Sequence, residues 1–329
     1  MLISHTAPMR LFASAGIGAL CLVLLAMLAS CRVIGDGRDT GAADETAPPG
    51  DYNYITEVFE YVYGPGQHAA SSQLSGDGMQ DAENLIGTSS DFVLLGGWGG
   101  YIVAGFGSDV ANIPGKHDFA VFTQPGPGDE PGVVYVMSDH NGSGQPDGTW
   151  YELRGSESDE AGYIRDYEVT YYRPDNETAN ITWSDNYEGA GELVPGYPEG
   201  ASSYSWWWDG YGDVAELTLS GVLLPDSMYE DDGIWREHES SHSWGYAENY
   251  NADDLYRLPF GSRTRSANVF DIGNAVDADG QPVALEHIRF IKVQTGVFQI
   301  AGWLNEISTE ISGAVNLHAE EIAELITWQ

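Results

Sequence analysis

Val133-Val-Tyr-Val-Met-Ser-Asp-His-Asn-Gly-Ser-Gly-Gln-Pro-Asp-Gly-Thr-Trp-Tyr-Glu-Leu153 opens as one strand and closes as another. Val133, Val134 and Val136 supply the β-branched residues of the first arm. Trp150-Tyr151-Glu152-Leu153 supply the second. Between them runs a loop of Asp, Asn, Ser and Gly, the residues that reverse a chain.

The loop is also a chain of oxygen donors. Counted from Asp139, its side chains fall in the register of an EF-hand: Asp139 at position one, Asn141 at three, Ser143 at five, Gly144 at six, the Gln145 carbonyl at seven and Asp147 at nine. Calcium takes several hard oxygens from a tightly curled backbone, and glycine at position six permits the curl. Position twelve breaks the pattern, because Trp150 stands where a bidentate glutamate belongs. Glu152, or a carboxylate distant in sequence, has to complete the shell. The competing reading is a solvated Asn-Gly hairpin loop that needs no ion. The expectation is calcium in a structural role.

Working outward, the same strand-and-turn grammar recurs. Ile55–Tyr63 alternates and stops at Gly64-Pro65-Gly66. Phe92–Leu95 and the stretch to Phe106 read as two strands joined by glycines that carry no phosphate-loop signature. Asp118–Phe122, Tyr167–Tyr172, Ile181–Trp183 and Ile288–Thr295 read as further strands, and Val214–Leu224 as one with a bulge at Gly221. Gln80–Ile86 suits a short helix, and Leu317–Trp328 an amphipathic one. Short strands between Gly, Pro and Asp turns predict an all-β fold: an antiparallel β-sandwich, jelly-roll-like, with short helices and a C-terminal helix.

The ends carry a different signal. Arg10 precedes an apolar run ending in Leu28-Ala29-Ser30-Cys31. This reads as a secretory signal with a lipobox, the lipid attached to Cys31. The predicted organisation is a signal over 1–30, a tether over 31–51, a β-sandwich over 52–318 and a helical extension over 319–329. Cys21 and Cys31 are the only cysteines, so the exported domain is expected to hold together without a disulfide. Asp and Glu total 50 against 13 Lys and Arg, a net charge of −37. Nucleic acid is excluded as a partner, since binding it needs a basic footprint.

Several stretches resemble a known group. They are Leu95–Phe106, Asp118–Phe122, Glu130–Val134, Asp139–Leu153, Tyr167–Pro174, Trp244–Tyr246, Phe270–Ile272, Phe290–Val293 and Gly302–Glu310. Together they resemble the bacterial "cell surface protein" lipoproteins common in Bacteroidetes, from about Tyr54 to His318. The resemblance implies a β-sandwich displayed on the outer membrane. It also implies, more loosely, capture of a cofactor such as a corrinoid beside a TonB-dependent receptor.

Three constellations bear on chemistry. His238-Glu239-Ser240-Ser241-His242 fits the zinc-peptidase pattern of two histidines one helical turn apart with a glutamate base. Its serines and the following glycine make a poor helix, no methionine follows Met228, and the expectation is a polar loop. Trp206, Trp207, Trp208 and Tyr211 form an aromatic cluster; three consecutive strand residues cannot all enter one core, so at least one tryptophan is expected at the surface, either in a stacking face for a glycan or flat cofactor or, with the other two in the core, covering a rim. Asp271, Asp277, Asp279, Glu306 and Glu310 supply carboxylates for a second ion, a glycosidase pair or ordinary turns, with the turn favoured at Asp277 and Asp279. The expectation is therefore a lipid-anchored binder without catalysis. An extracellular hydrolase and a structural envelope protein are the alternatives.

Overall fold

The computed structural model describes residues 53–66, 78–89, 91–123, 129–176, 179–194, 207, 209–238, 242–250, 252–301, 307–319 and 322. The signal, tether and Cys31 lie outside them. So does the C-terminal helix beyond Leu317–Ala319 and Ile322.

The chain forms an all-β structure whose strand pairings are antiparallel. The largest sheet has seven strands. Its path runs β1 (Ile55–Val62), β3 (Tyr101–Ala111), β17 (His287–Thr295), β5 (Asp129–Met137), β6 (Tyr151–Leu153) and β16 (Ala275–Val276), with β13 (Ala247–Asn249) also on β5. A five-stranded sheet runs β14 (Leu255–Phe260), β15 (Arg263–Phe270), β4 (Phe119–Thr123), β18 (Glu310–Asn316) and β2 (Val93–Leu94). A four-stranded sheet follows the order β10 (Glu216–Leu223), β7 (Ile164–Tyr172), β8 (Ile181–Asp185) and β9 (Ala190–Leu193). Strands β11 (Met228–Asp231) and β12 (Ile234–Glu237) form a separate hairpin. Helix α1 (Gly78–Ala82) continues as a 3-10 turn over Glu83–Leu85, close to the short helix expected there.

The two larger sheets make the sandwich. Ile102, Ala104, Val134, Val136, Ile291 and Val293 of the seven-stranded sheet meet Phe119, Val121, Ile311 and Ala314 of the five-stranded one in a single buried cluster. Period-two alternation sends these side chains to one face. Strands β4 and β18 are buried on both faces, which is why Phe119-Ala-Val-Phe-Thr123 reads as continuously apolar. Ala120, Phe122 and Val315 face the opposite way, into a second cluster with Leu258, Phe260, Leu317 and Ile322.

The third sheet packs on the far side of the seven-stranded one. Tyr167, Val169 and Tyr171 of β7 point inward while Glu168 and Tyr172 point out. The glycine-rich turn after β2 anchors this sheet, and it crosses between the two sandwich sheets. Trp98 at its centre is 1% exposed. Its ring meets Tyr167 edge-on at 4.9 Å, its Nε1 donates to the Val222 carbonyl at 3.3 Å, and its carbonyl accepts the Tyr171 hydroxyl at 2.9 Å. Gly96 is needed there: it has φ +76°, and a Cβ would sit 2.3 Å from the Gly64 carbonyl oxygen.

Candidate functional site

The Asp139–Asp147 loop closes on itself through hydrogen bonds, an arrangement that both the calcium reading and the ion-free hairpin reading allow. Asp139 accepts the Ser143 and Gly144 amides at 3.0 and 2.9 Å. Ser143 Oγ lies 3.4 Å from both Asp147 carboxylate oxygens and from the Gln145 carbonyl. Asn141 reaches Asp147 at 3.1 and 3.2 Å. Gly142 and Gly144 both adopt positive φ, +67° and +68°. The donors are hard oxygens of the type calcium selects, but only two are carboxylates. Among the described residues, no group of three or more His, Cys, Asp and Glu is placed to hold a metal ion.

Glu152 has other partners. Its carboxylate accepts the Tyr163 hydroxyl, and Arg165 Nε lies 3.2 Å from Oε2. Burial raises its pKa, opposed by Tyr163 and Arg165. It belongs to the outer face of the seven-stranded sheet and not to the oxygen loop.

That outer face forms the floor of a cleft of about 520 Å³, walled by β7 and β10 of the four-stranded sheet. Tyr135, Trp150, Tyr167, Glu152, Arg165 and Lys292 line it. Strand register builds the floor as one row. Glu60 faces Val103, Val103 faces Lys292, Lys292 faces Tyr135, and Tyr135 faces Glu152. Lys292 Nζ sits 4.1 Å from the centroid of the Tyr101 ring and 5.3 Å from that of Tyr135. Burial pushes its pKa down to about 8, with Glu60 pulling weakly upward. Gln294 ties the walls together. Its Nε2 donates to the Gly99 and Ser220 carbonyls at 2.9 and 3.1 Å, and its Oε1 accepts the Tyr135 hydroxyl at 3.3 Å.

A second cavity, about 230 Å³, lies by His117, Arg154, Trp244 and Asp254. Burial pushes Asp254 up to about 6. Its oxygens are occupied by the Gly245 amide at 2.6 Å and Asn268 Nδ2 at 3.0 Å, a structural arrangement.

The aromatic patch needs correcting. Trp207 is 4% exposed and packs edge-on against Tyr211 at 5.1 Å in the core of the four-stranded sheet. Tyr211 donates its hydroxyl to the Tyr63 carbonyl at 2.5 Å. Tyr211 begins no strand but ends a 3-10 turn, so strand alternation does not govern this stretch. Trp207 is thus core and not a stacking face, and Tyr211 is half-buried against it; Trp206 and Trp208 lie outside the described residues.

The zinc pattern has no helix at either described end. His238 follows directly on strand β12, and His242 has φ +54° and is 1% exposed. Neither His242 ring nitrogen has a hydrogen-bond partner of proper geometry, the Pro225 backbone making only a weak approach. Glu239 lies outside the described residues. Among the acids, Asp277 folds back on the Asp279 and Gln281 amides at 3.0 and 2.9 Å, the expected turn. Asp271 likewise accepts the Gly273 amide at 2.7 Å. Glu310 is buried, and its amide donates to Glu248. Glu306 lies outside the described residues.

Sequence reasoning missed the cleft and Lys292. One signal was there: the chain has only two lysines, Lys116 and Lys292, and Lys292 stands between Ile291 and Val293 in an alternating strand. No protein-family model matches this chain, and no curated protein matches it either.

Proposed function

We propose that this chain is an exported, lipid-anchored binding protein that holds a small polar ligand in the cleft above Lys292 without turning it over. The cleft carries the reading. At about 520 Å³ it falls within the range of ligand pockets, roughly 300–1,000 Å³. Its lining combines aromatic rings with a few fixed polar groups, the mixture that ligand sites use. That volume suits a mono- or disaccharide or a small acid; a whole corrinoid exceeds it. Glu152 in this cleft is already engaged by Tyr163 and Arg165 and so is a poor free acid or base.

The rest of the reading follows from the sequence. A lipid on Cys31 would hold the domain at the outer membrane, among the cell-surface lipoproteins it resembles, with a TonB-dependent receptor as a neighbour. Calcium in the Asp139–Asp147 loop would stiffen the β5–β6 hairpin, which carries Tyr135, Trp150 and Glu152 into the cleft.

The test is calorimetric titration of the purified chain with a panel of mono- and disaccharides, neutral and acidic. Binding that is weakened at least tenfold in Trp150→Ala, with the sugar recovered unchanged, is the expected result. Cleavage of a bound sugar, or binding indifferent to Trp150→Ala, overturns the reading.

A further inference from the structure

The cation on the cleft floor lacks the carboxylate partner that five of the described arginines have. Arg154, Arg173 and Arg236 each meet an aspartate at 2.7 to 2.8 Å, Arg165 meets Glu152 at 3.2 Å, and Arg289 meets Asp109 at 3.6 Å. Lys292 has no such partner. Among the described residues no carboxylate lies within 4.0 Å of its amine, and it makes no hydrogen bond. Its strand row places one carboxylate two strands away on each side, Glu60 and Glu152. Both are occupied: Glu60 accepts the Tyr101 hydroxyl at 2.6 Å, and Glu152 holds Tyr163 and Arg165.

With 50 acidic residues against 13 basic ones, a carboxylate for a partly buried ammonium is the easiest partner for this chain to supply. Two tyrosine rings flank the amine instead, and they stabilise a cation without neutralising it. A desolvated charge without a counterion is unfavourable. Such a charge facing a ligand-sized cleft is accounted for when the anion arrives from solvent.

We infer that Lys292 reads a carboxylate on the ligand, and that the ligand class is a small acidic sugar carrying one carboxylate. The inference rests on the cleft being the binding site. The carboxylate docks on Lys292 Nζ between Tyr101 and Tyr135, completing the ion pair that the fold omits. Asp166, Glu168 and Asp277 also line the cleft. They accept hydrogen bonds from sugar hydroxyls, and they repel a multiply charged phosphate or sulfate more than a single carboxylate. Trp150 offers a ring for the apolar side of the sugar. The net charge of −37 disfavours a long polyanion and leaves a one- or two-residue ligand.

The two-lysine composition makes the test direct. The full chain is titrated with D-glucuronate, D-glucose and inorganic phosphate, and is separately methylated with formaldehyde and borohydride, with and without each probe. Peptide mass spectrometry reads Lys292 against the exposed Lys116 as internal control. Glucuronate is expected to bind, to slow methylation of Lys292 but not of Lys116, and to lose at least tenfold in affinity in Lys292→Met. Lys292→Arg should retain part of it. Affinity should also fall as pH rises past about 8, where free Lys292 loses its proton. Glucuronate that binds Lys292→Met undiminished, or phosphate that protects Lys292 where glucuronate does not, overturns the inference. Glucose binding as tightly as glucuronate, lost in Trp150→Ala, sinks the carboxylate and leaves the cleft standing. Failure of all three probes sinks the acidic-sugar assignment.

Discussion

Gln294 occupies the space that a side chain on Gly221 would need. A Cβ at Gly221 would lie 1.9 Å from Gln294 Oε1, and the register of β10 on β7 shifts between Gly221 and Leu223. The bulge expected at this glycine therefore lets a glutamine of the central sheet reach the third sheet. Gly221→Ala is predicted to destabilise the protein by about 1–3 kcal/mol, the usual range for overpacking. Thermal melting followed by circular dichroism measures it. Adding Gln294→Ala should recover part of the loss, since the clash goes with the amide, and the double variant should melt above the sum of the two. Strict additivity would show that the two residues do not meet.

Lys292 predicts an unusual alkaline limb. Its pKa is lowered from 10.5 to about 8 in the folded chain, by burial first. Between those values the unfolded chain binds the proton and the folded chain does not, so stability rises with pH across that window. Below it, the folded chain carries a desolvated ammonium. Lys292→Met should therefore stabilise the ligand-free protein at neutral pH by on the order of 1–3 kcal/mol, raising its melting temperature, and flatten the rise. A variant that melts lower at pH 7 would mean that the tyrosine contacts outweigh the buried charge.

Much of this architecture was legible in the sequence, for a physical reason. Strands β1, β4, β7 and β17 alternate or run apolar between turn residues, and a local period is a local signal. What lay hidden is non-local. Nothing in Gly96-Gly-Trp-Gly-Gly100 says that the turn leaves one sheet for another, or that Trp98 nails down a third. Alternation puts Phe290, Lys292 and Gln294 on one face of β17, but not what that face meets. Nothing in the tryptophan run says that a 3-10 turn follows Trp207 and that Tyr211 at its end packs against that ring. The oxygen loop was easier: Asn141, Ser143 and Asp147 are close in sequence and close in space.

That loop predicts a calcium-dependent stability. With two carboxylates, its affinity class is that of weak extracellular sites, roughly 10⁻⁴–10⁻³ M. About 10 mM calcium, roughly ten to a hundred times that dissociation constant, then adds about 1.4–2.7 kcal/mol. Removal by EDTA should lower the melting temperature by several degrees, and restored calcium should recover it. Asp139→Ala and Asp147→Ala should abolish the response, whereas Glu152→Gln should keep it, because Glu152 is held by Tyr163 and Arg165. A response intact in both aspartate variants would move the ion elsewhere in the chain.

His242 predicts the acid limb. Its ring is buried against Tyr246 at 5.5 Å, and burial lowers its pKa from 6.5, with Glu157 pulling it back up. Below 6.5 the unfolded chain takes a proton that the folded chain refuses, so this residue subtracts stability as pH falls from there. Asp254, raised to about 6, works in the opposite sense over an overlapping range, so the test is a difference between variants and not one curve. Urea unfolding of wild type and His242→Phe from pH 8 to pH 5 should show the variant losing less stability on acidification. The same pair settles the zinc question. Metal analysis should find equal and substoichiometric zinc in both, since a buried imidazole in a left-handed loop position does not share a helix face with His238. One zinc per wild-type chain, gone in His242→Phe, would restore the peptidase reading and remove the neutral-histidine argument with it.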